Sequence, residues 1–285
     1  DVAPSRGLGD VYKRQGLEGG WKHPLTIRME GIVPTVYPHE IIDWNEQHVG
    51  EVDKLPGIHS EEQFAAWLKV YNRNVDKWEA MNVADSVELA HYGVHNDGET
   101  PGTDGWTFYL WNDIDCKDMK PDANGAFVKA LTEGVTFDGK GYVLHNLMLD
   151  FEHTAPSSGR VGLIGEIRGG RLRNLHLDFV TVRNMDVDTP SGCIAGRISS
   201  GQIFDCTVRE AKMMCRGGVA GVLAGEMSGG DMAGCKFHGM VQAKEMQDET
   251  EWGYKKIVNG VVGRMPSDFK GTVANDIINR VFITD

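Results

Sequence analysis

Apolar and polar residues alternate with a period of two in the middle of the chain, most clearly between residues 134 and 240. Leu175 and Leu177 are each followed by a polar residue, and a similar alternation surrounds Cys206 and Cys235. A period of two predicts strands that bury one face. Because no stretch of this region shows a helical stripe of similar quality, we predict that it consists of short strands.

Two short motifs recur along this region with nearly the same spacing. The first motif reads "GLIGEI", "CIAGRI", "VLAGEM" and "VVGRM", and its glycines are 31, 29 and 38 residues apart: Gly165, Gly196, Gly225 and Gly263. The second reads "HNLML", "RNLHL", "FDCTV" and "AGCKF", and its central residues are 28, 31 and 29 apart: Leu147, Leu175, Cys206 and Cys235. A polar insertion at 243–256 explains the longer last step. Two motifs that keep one period indicate stacked repeats.

Repeats of this size, with two or three strands each, predict an all-β fold, namely a right-handed parallel β-helix (β-solenoid). Stacking predicts three inward columns of side chains: Leu147, Leu175, Cys206 and Cys235; Leu149, Leu177, Val208 and Phe237; and Leu163, Ile194, Leu223 and Val261. We expect the recurring glycines to face inward, where a narrow coil leaves no room, or to mark a repeated corner.

The residue after each recurring glycine is charged, and the sign alternates from one repeat to the next: Glu166, Arg197, Glu226 and Arg264. Opposite charges on adjacent strands contribute about 0.2–1 kcal/mol per pair. We interpret this column as an outward charge ladder that helps to set the register.

The clearest helical pattern lies upstream, at residues 58–72. Ser60 and Gln63 form a capping box, and the following apolar residues share one helical face: Phe64, Trp67, Leu68 and Tyr71. We predict that this helix covers the first coil as an N-terminal cap. Residues 74–104 predict a short second helix followed by a loop, and 106–116 begins the first strand.

Composition narrows the class of protein. The 285 residues are 41% hydrophobic and 25% charged, which is typical of a globular protein. The net charge of −12 argues against binding to nucleic acid or to an anionic membrane surface. Five cysteines without a CxxC pair predict buried free thiols. No apolar run is long enough for a membrane-spanning helix.

The sequence offers few residues for catalysis or metal binding. "HEIID" at 39–43 lacks the second histidine of a zinc-protease motif, and His91 and His95 lack an evident third ligand. The candidate acids occur at expected corners and loops, where aspartate is typical of turns: Asp113, Asp115, Asp138, Asp186 and Asp188. We therefore assign no catalytic residue, no metal site and no cofactor.

Several segments together resemble a known family. The order "SEEQFAAWLKVYN", "FYLWNDIDC", "VTFDGKGYVLHNLML", "GLIGEI…GGRLRNLHL" and "GGVAGVLAGEM" is similar to the GLUG-motif β-helix proteins of bacterial cell surfaces. The resemblance covers about residues 58–285. It implies a surface β-helix and says little about activity.

The N-terminal region is expected to be separate. Residues 1–15 contain "GLGDVYKRQ", which we interpret as translated sequencing-adaptor sequence at the end of a metagenomic fragment, the alternative being a genuine polar leader. Residues 16–50, with "IIDWN" at 41–45, resemble the last strands of a fimbrillin-like domain, the alternative being an isolated strand pair. We expect a linker and the capping helix at 51–104 and the β-helix at 105–285.

These observations predict a non-catalytic cell-surface module, an elongated repeat scaffold for adhesion or ligand presentation. The candidate ligand contacts are Trp106, Trp111, Trp252 and Tyr254. Expected partners are a host or bacterial surface glycan or protein, or other surface or fimbrial subunits, with membrane attachment only through an upstream lipid anchor. The expected location is the outer surface of a Gram-negative bacterium. The alternative is a polysaccharide-active β-helix enzyme or an accessory domain of a surface hydrolase.

Overall fold

The computed structural model describes residues 25–30, 33–38, 55–97, 104–123, 125–151, 156, 159–184, 186, 189–215, 219–243, 261–273 and 278–284. The chain divides into two compact units, Asp1–Lys54 and Leu55–Asp285. In the first unit, strands β1 (Leu25–Glu30) and β2 (Val33–Pro38) pair antiparallel. Residues 1–15 and 41–45 lie outside the described ranges, and the fimbrillin-like resemblance stays a prediction.

Two α-helices begin the described part of the second unit, and both have side-chain caps. Helix α1 spans Glu61–Asn74, and Ser60 Oγ accepts a hydrogen bond from the Gln63 amide at 3.3 Å. Gln63 Oε1 reaches the amide of His59 at 2.7 Å, one residue before the expected capping-box partner. A 3-10 helix at Trp78–Ala80 precedes helix α2 (Val83–Leu89). The predicted helix, its Ser60 cap and the short second helix are therefore confirmed, whereas Gly93–Asp97, expected within a loop, forms a strand.

The rest of the unit is a β-solenoid of about four turns. Its first strands are β3 (Gly93–Asp97), β4 (Asp104–Tyr109) and β5 (Ile114–Asp115). The next two turns contain β6 (Ala126–Thr132), β7 (Thr136–Asp138), β8 (Val143–His145) and β9 (Met148–Phe151), then β10 (Gly162–Arg168), β11 (Arg171–Arg173), β12 (His176–Asp178) and β13 (Thr181–Asn184). Strand β14 (Ser191–Gly192) begins the following turn. The remaining strands are β15 (Ala195–Ile198), β16 (Gln202–Phe204), β17 (Thr207–Cys215), β18 (Ala220–Gly221), β19 (Ala224–Met227), β20 (Gly229–Ala233), β21 (Lys236–Ala243), β22 (Val262–Arg264), β23 (Lys270–Val273) and β24 (Ile278–Thr284).

Three sheets run along the solenoid, and successive turns contribute neighbouring strands to each. Their orders are β22-β19-β15-β10-β6, β23-β20-β16-β11-β7-β4-β3 and β24-β21-β17-β12-β8-β5. Within these three sheets the pairs are parallel except β3–β4, which is antiparallel. The predicted parallel β-solenoid with an N-terminal helix is confirmed.

Like-placed residues stack from turn to turn, as the repeats predict. His176 pairs with Thr207, and Thr207 pairs with Lys236, so Leu175, Cys206 and Cys235 lie one above another. All three are buried. The third predicted column is confirmed in the same way by the register of β10, β15, β19 and β22.

The first-turn members of two predicted columns are wrong. Met148 pairs with Thr181, so Leu147 lies opposite Val180, and Leu149 pairs with Val182. The place expected for Leu147 is taken by Tyr142, and the place expected for Leu149 by Leu144, which pairs with Leu177. The cause is that each turn has two corners in the left-handed conformation, one at Asn146 and Phe179 and the other at Asn174 and Asp205. The pair Asn146-Leu147 lies at the first of these corners and the pair Asn174-Leu175 at the second. Alignment of the two pairs by sequence therefore matched two corners that are not equivalent.

The recurring glycines lie inside strands and not at corners, which corrects the corner interpretation. A Cβ atom on Gly225 would lie 2.5 Å from the backbone carbon of Pro190, and one on Gly263 would lie 2.5 Å from the backbone nitrogen of Ala220. Pro190 and Ala220 belong to segments that lead into the strands of the preceding turn. Gly196, Gly225 and Gly263 are therefore required because the chain entering one turn lies directly against the strand of the next, whereas Gly165 lies against Lys129 within β6 itself.

The charge ladder has the predicted register. Glu166 pairs with Arg197, Arg197 with Glu226, and Glu226 with Arg264 along neighbouring strands. Glu226 forms ion pairs with Arg264 and, at 3.4 Å, with Arg197. Glu166 forms its ion pair with Arg160 at 2.9 Å. The column therefore links at least three turns through one shared carboxylate.

Helix α1 covers the end of the solenoid core. The Trp67 ring lies 5.4 Å from Phe108 and 5.1 Å from Phe137, centroid to centroid. The Tyr71 hydroxyl donates a hydrogen bond of 2.7 Å to the carbonyl oxygen of Ala130, and this contact is buried. The apolar face predicted from the sequence, with Phe64 and Trp67 almost fully buried, therefore closes the first turns.

Candidate functional site

The four candidate ligand contacts have different environments. Trp106 is only 4% exposed, and its ring stacks on Phe108 at 5.7 Å, so it packs within the capped end. Trp111 is half-buried and presents part of its ring at the surface. Trp252 and Tyr254 lie outside the described residues. Trp111 therefore defines the candidate site.

Trp111 is one of three side chains that form an aromatic corner, which we define as Tyr109, Trp111 and Lys140. The two rings lie 5.9 Å apart, and Lys140 Nζ lies 4.8 Å from the Tyr109 centroid and 5.4 Å from the Trp111 centroid. The Trp111 indole nitrogen donates a hydrogen bond of 3.0 Å to the Pro56 carbonyl oxygen. Gly57 has no Cβ to collide with the indole, so the ring rests directly on the backbone.

The buried carboxylate of Asp138 holds the ammonium group of Lys140 in place. Asp138, which pairs with Tyr109 in register, accepts hydrogen bonds from the Lys140 amide at 2.9 Å, Asn174 Nδ2 at 3.0 Å and Arg173 Nε at 3.0 Å. Its ion pair with Lys140 Nζ measures 3.5 Å. Burial alone would raise the pKa of Asp138, but the hydrogen bonds from Asn174 and Lys140 and the neighbouring cations outweigh burial, so the pKa is lowered.

The aromatic corner combines two kinds of recognition. Aromatic faces provide rigid apolar contact area, while Lys140 and the half-exposed Arg173 provide donors for hydroxyl, carboxylate or sulfate groups. Sequence reasoning missed Tyr109 and Lys140. Two features of the sequence could have indicated these residues. Tyr109 and Trp111 are two residues apart, as expected for side chains on one face of a strand, and Lys140 directly follows the Asp-Gly turn of the next coil.

Of the candidate acids, Asp115 and Asp138 accept hydrogen bonds from the amide two residues ahead, as expected in turns, whereas Asp113 and also Asp115 bind groups of the next coil. Asp113 accepts a hydrogen bond from the Val143 amide at 2.8 Å, and Asp115 accepts one from Asn146 Nδ2 at 2.9 Å. The carboxylate of Asp186 accepts a hydrogen bond from Thr189 Oγ1 at 3.0 Å. Asp188 lies outside the described residues.

A second polar surface follows the outer face of the sheet that contains β8, β12, β17 and β21. Asp178 pairs in register with His145 on one side and with Arg209 on the other. Its Oδ2 atom lies 4.0 Å from His145 Nδ1 and 3.3 Å from Arg209 Nη2. On the same face, burial lowers the pKa of His176, and the charges of Arg209 and Lys236 lower it further. The face alternates in charge and does not concentrate carboxylates.

The histidines considered for metal binding are not brought together on a helix. His91 follows α2 at an exposed turn, whereas His95 lies in β3, where its ring contacts Trp106 at 5.0 Å. Residues 39–43 lie outside the described ranges. Within the described ranges, no group of three or more His, Cys, Asp or Glu side chains is arranged to hold a metal ion.

Comparisons with known proteins give no family assignment. A scan against protein-family models finds no match, and neither do searches of curated proteins and of solved structures. Of the helices in the described part of the chain, none has the length and apolar character needed to cross a membrane.

Proposed function

We propose that the chain is a non-catalytic module of a bacterial cell surface, whose stacked turns present or space a face that binds a glycan or a protein. The resemblance to GLUG-motif and fimbrillin-like proteins supports a place on the outer surface of a Gram-negative bacterium. The observation that carries the proposal is the aromatic corner on a rigid repeat scaffold.

The corner favours a carbohydrate with hydroxyl or acidic groups as the ligand. The exposed parts of the half-buried Tyr109 and Trp111 rings offer apolar contact area for a sugar, and Lys140 with Arg173 offers charged donors beside them. Asp138 fixes the backbone and the ammonium group of Lys140, so this side chain loses little conformational freedom when a ligand binds.

The experiment is a glycan array with the full chain, followed by titration of any ligand found. Tyr109→Ser removes one ring, and Tyr109→Phe is the matched control because it keeps the ring. The proposal predicts that the serine variant loses at least about tenfold in affinity, as expected for a loss of roughly 1.4 kcal/mol, while the phenylalanine variant stays within about threefold. Circular dichroism checks that both variants fold.

The outcomes separate the competing functions. Absence of binding to glycans and to host surface proteins would contradict adhesion and leave only a spacer. Turnover of a uronic-acid or neutral glycan, with or without calcium, would replace the proposal with a polysaccharide-active enzyme, especially if substitution of an Asp pair abolished it.

A further inference from the structure

Two of the five buried cysteines occupy equivalent positions in successive turns. Thr207 pairs with Lys236, and the Lys236 amide donates a hydrogen bond of 2.9 Å to the Cys206 carbonyl oxygen, so Cys206 and Cys235 are direct neighbours across the ladder. Adjacent strands lie about 4.8 Å apart. This spacing falls within the Cα separations of about 4.4–6.8 Å that disulfides span.

The two sulfur atoms also have matching orientations. Cys206 Sγ lies 3.3 Å from the carbonyl oxygen of Phe204, and Cys235 Sγ lies 3.3 Å from that of Ala233, two residues earlier in each turn. Cys235 Sγ is also 3.9 Å from the carbonyl oxygen of Ile203, which belongs to the turn of Cys206. Both thiols therefore lie on the same side of the coil, and that of Cys235 reaches toward its neighbour.

We propose that Cys206 and Cys235 are a covalent modification site, at which a disulfide bond joins two successive turns when the chain folds in the presence of a low-molecular-weight disulfide. One thiolate attacks the small disulfide, forming a mixed disulfide and releasing one small thiol. The second thiolate attacks the protein sulfur of that mixed disulfide and releases the other small thiol. The two cysteines lose two protons and two electrons, and the small disulfide is reduced to two thiols.

The reaction belongs to the folding chain and not to the finished solenoid. Both residues are fully buried, and burial together with the neighbouring Cys235 thiol raises the pKa of Cys206. The thiolate is the reacting form, so a folded, buried pair exchanges slowly.

The crosslink is expected to stabilise the solenoid. It closes a loop of about 30 residues, for which the chain-entropy relation predicts an unfolding equilibrium constant lower by on the order of a few hundred-fold. Formation of the bond requires the two Cβ atoms to approach from the strand spacing of about 4.8 Å to the roughly 3.5–4.5 Å that disulfides span.

The experiment is refolding of the full chain in glutathione buffers that are either oxidising or reducing. Free thiols are then alkylated, and peptides are mapped by mass spectrometry without reduction. We expect a crosslinked peptide pair containing Cys206 and Cys235, with a mass about 2 Da below the sum of the thiol forms. We also expect a higher urea midpoint for the oxidised protein.

Serine variants provide the controls, since a serine hydroxyl donates to the same carbonyl oxygens. Cys206→Ser and Cys235→Ser should each abolish the crosslink and the redox dependence of the midpoint, whereas Cys116→Ser should keep both. The inference is wrong if the oxidised wild-type protein retains five free thiols, if the crosslink joins another pair, or if the crosslink lowers the urea midpoint.

Discussion

The close approach at Gly225 gives the sharpest test of how successive turns pack. Gly225→Ala would place a Cβ atom 2.5 Å from the backbone carbon of Pro190, about 1 Å inside ordinary contact. The backbone there is held by two hydrogen bonds, from the Val161 amide to the Pro190 carbonyl and from the Ser191 amide to the Val219 carbonyl, both 2.9 Å long. Relief of the clash therefore requires those hydrogen bonds to lengthen.

The magnitude follows from these contacts. Two weakened hydrogen bonds cost about 1 kcal/mol each, and overpacking strain adds about 1 kcal/mol. The loss of unfolded-state freedom on replacing glycine by alanine returns about 0.4–1 kcal/mol. We predict a net loss of about 2 kcal/mol in the free energy of unfolding.

The assay is urea unfolding followed by far-UV circular dichroism, with Gly141→Ala as the control. Gly141 has φ of +85°, and no atom lies within 4 Å of the position that its Cβ would take, so that variant carries backbone strain without a clash. We expect it to lose about 1 kcal/mol or less. A Gly225→Ala protein that is as stable as the wild type, or more stable than Gly141→Ala, would refute the packing argument.

Three further predictions use the same unfolding assay. Asn174 has φ of +52° and donates to Asp138, so Asn174→Gly should lose about 1 kcal/mol and Asn174→Ala about 2 kcal/mol; equal losses would contradict a strained corner. Tyr71→Phe should lose about 1 kcal/mol because it leaves the Ala130 carbonyl without its buried donor, and an unchanged midpoint would argue against the cap contact. The lowered pKa of Asp138 stabilises the protein above the ordinary carboxyl pKa, and this contribution is lost as the pH falls through the lowered folded pKa. Asp138→Asn should therefore destabilise more at neutral than at acid pH, and a uniform loss would contradict that linkage.

The sequence predicted those features that the repeat makes periodic. Strand alternation, the column through Leu175 and Cys206, and the register of Glu166 with Arg197 all follow from one spacing that recurs from turn to turn. Each of these features needs only that equivalent residues stack, and stacking is what the period itself encodes.

The predictions that were wrong concern features that depend on local backbone geometry. Asn146 and Asn174 both adopt the left-handed conformation, but at different corners of the turn, so the Asn-Leu motif alone did not distinguish them. The reason for the glycine at 225 lies in a segment about 35 residues away, near Pro190, which no local pattern reveals. Trp106 lies on the same face of β4 as the buried Phe108, whereas Trp111 lies beyond the end of that strand and stays half-buried.

The most direct test of the stacked solenoid is a measurement of trans-hydrogen-bond scalar couplings by NMR in the deuterated protein. The structure predicts couplings from the Thr207 amide to the Leu175 carbonyl and from the Lys236 amide to the Cys206 carbonyl, because each amide donates to the preceding turn. Coupling of either amide to a carbonyl in a different part of the chain would contradict the stacked solenoid.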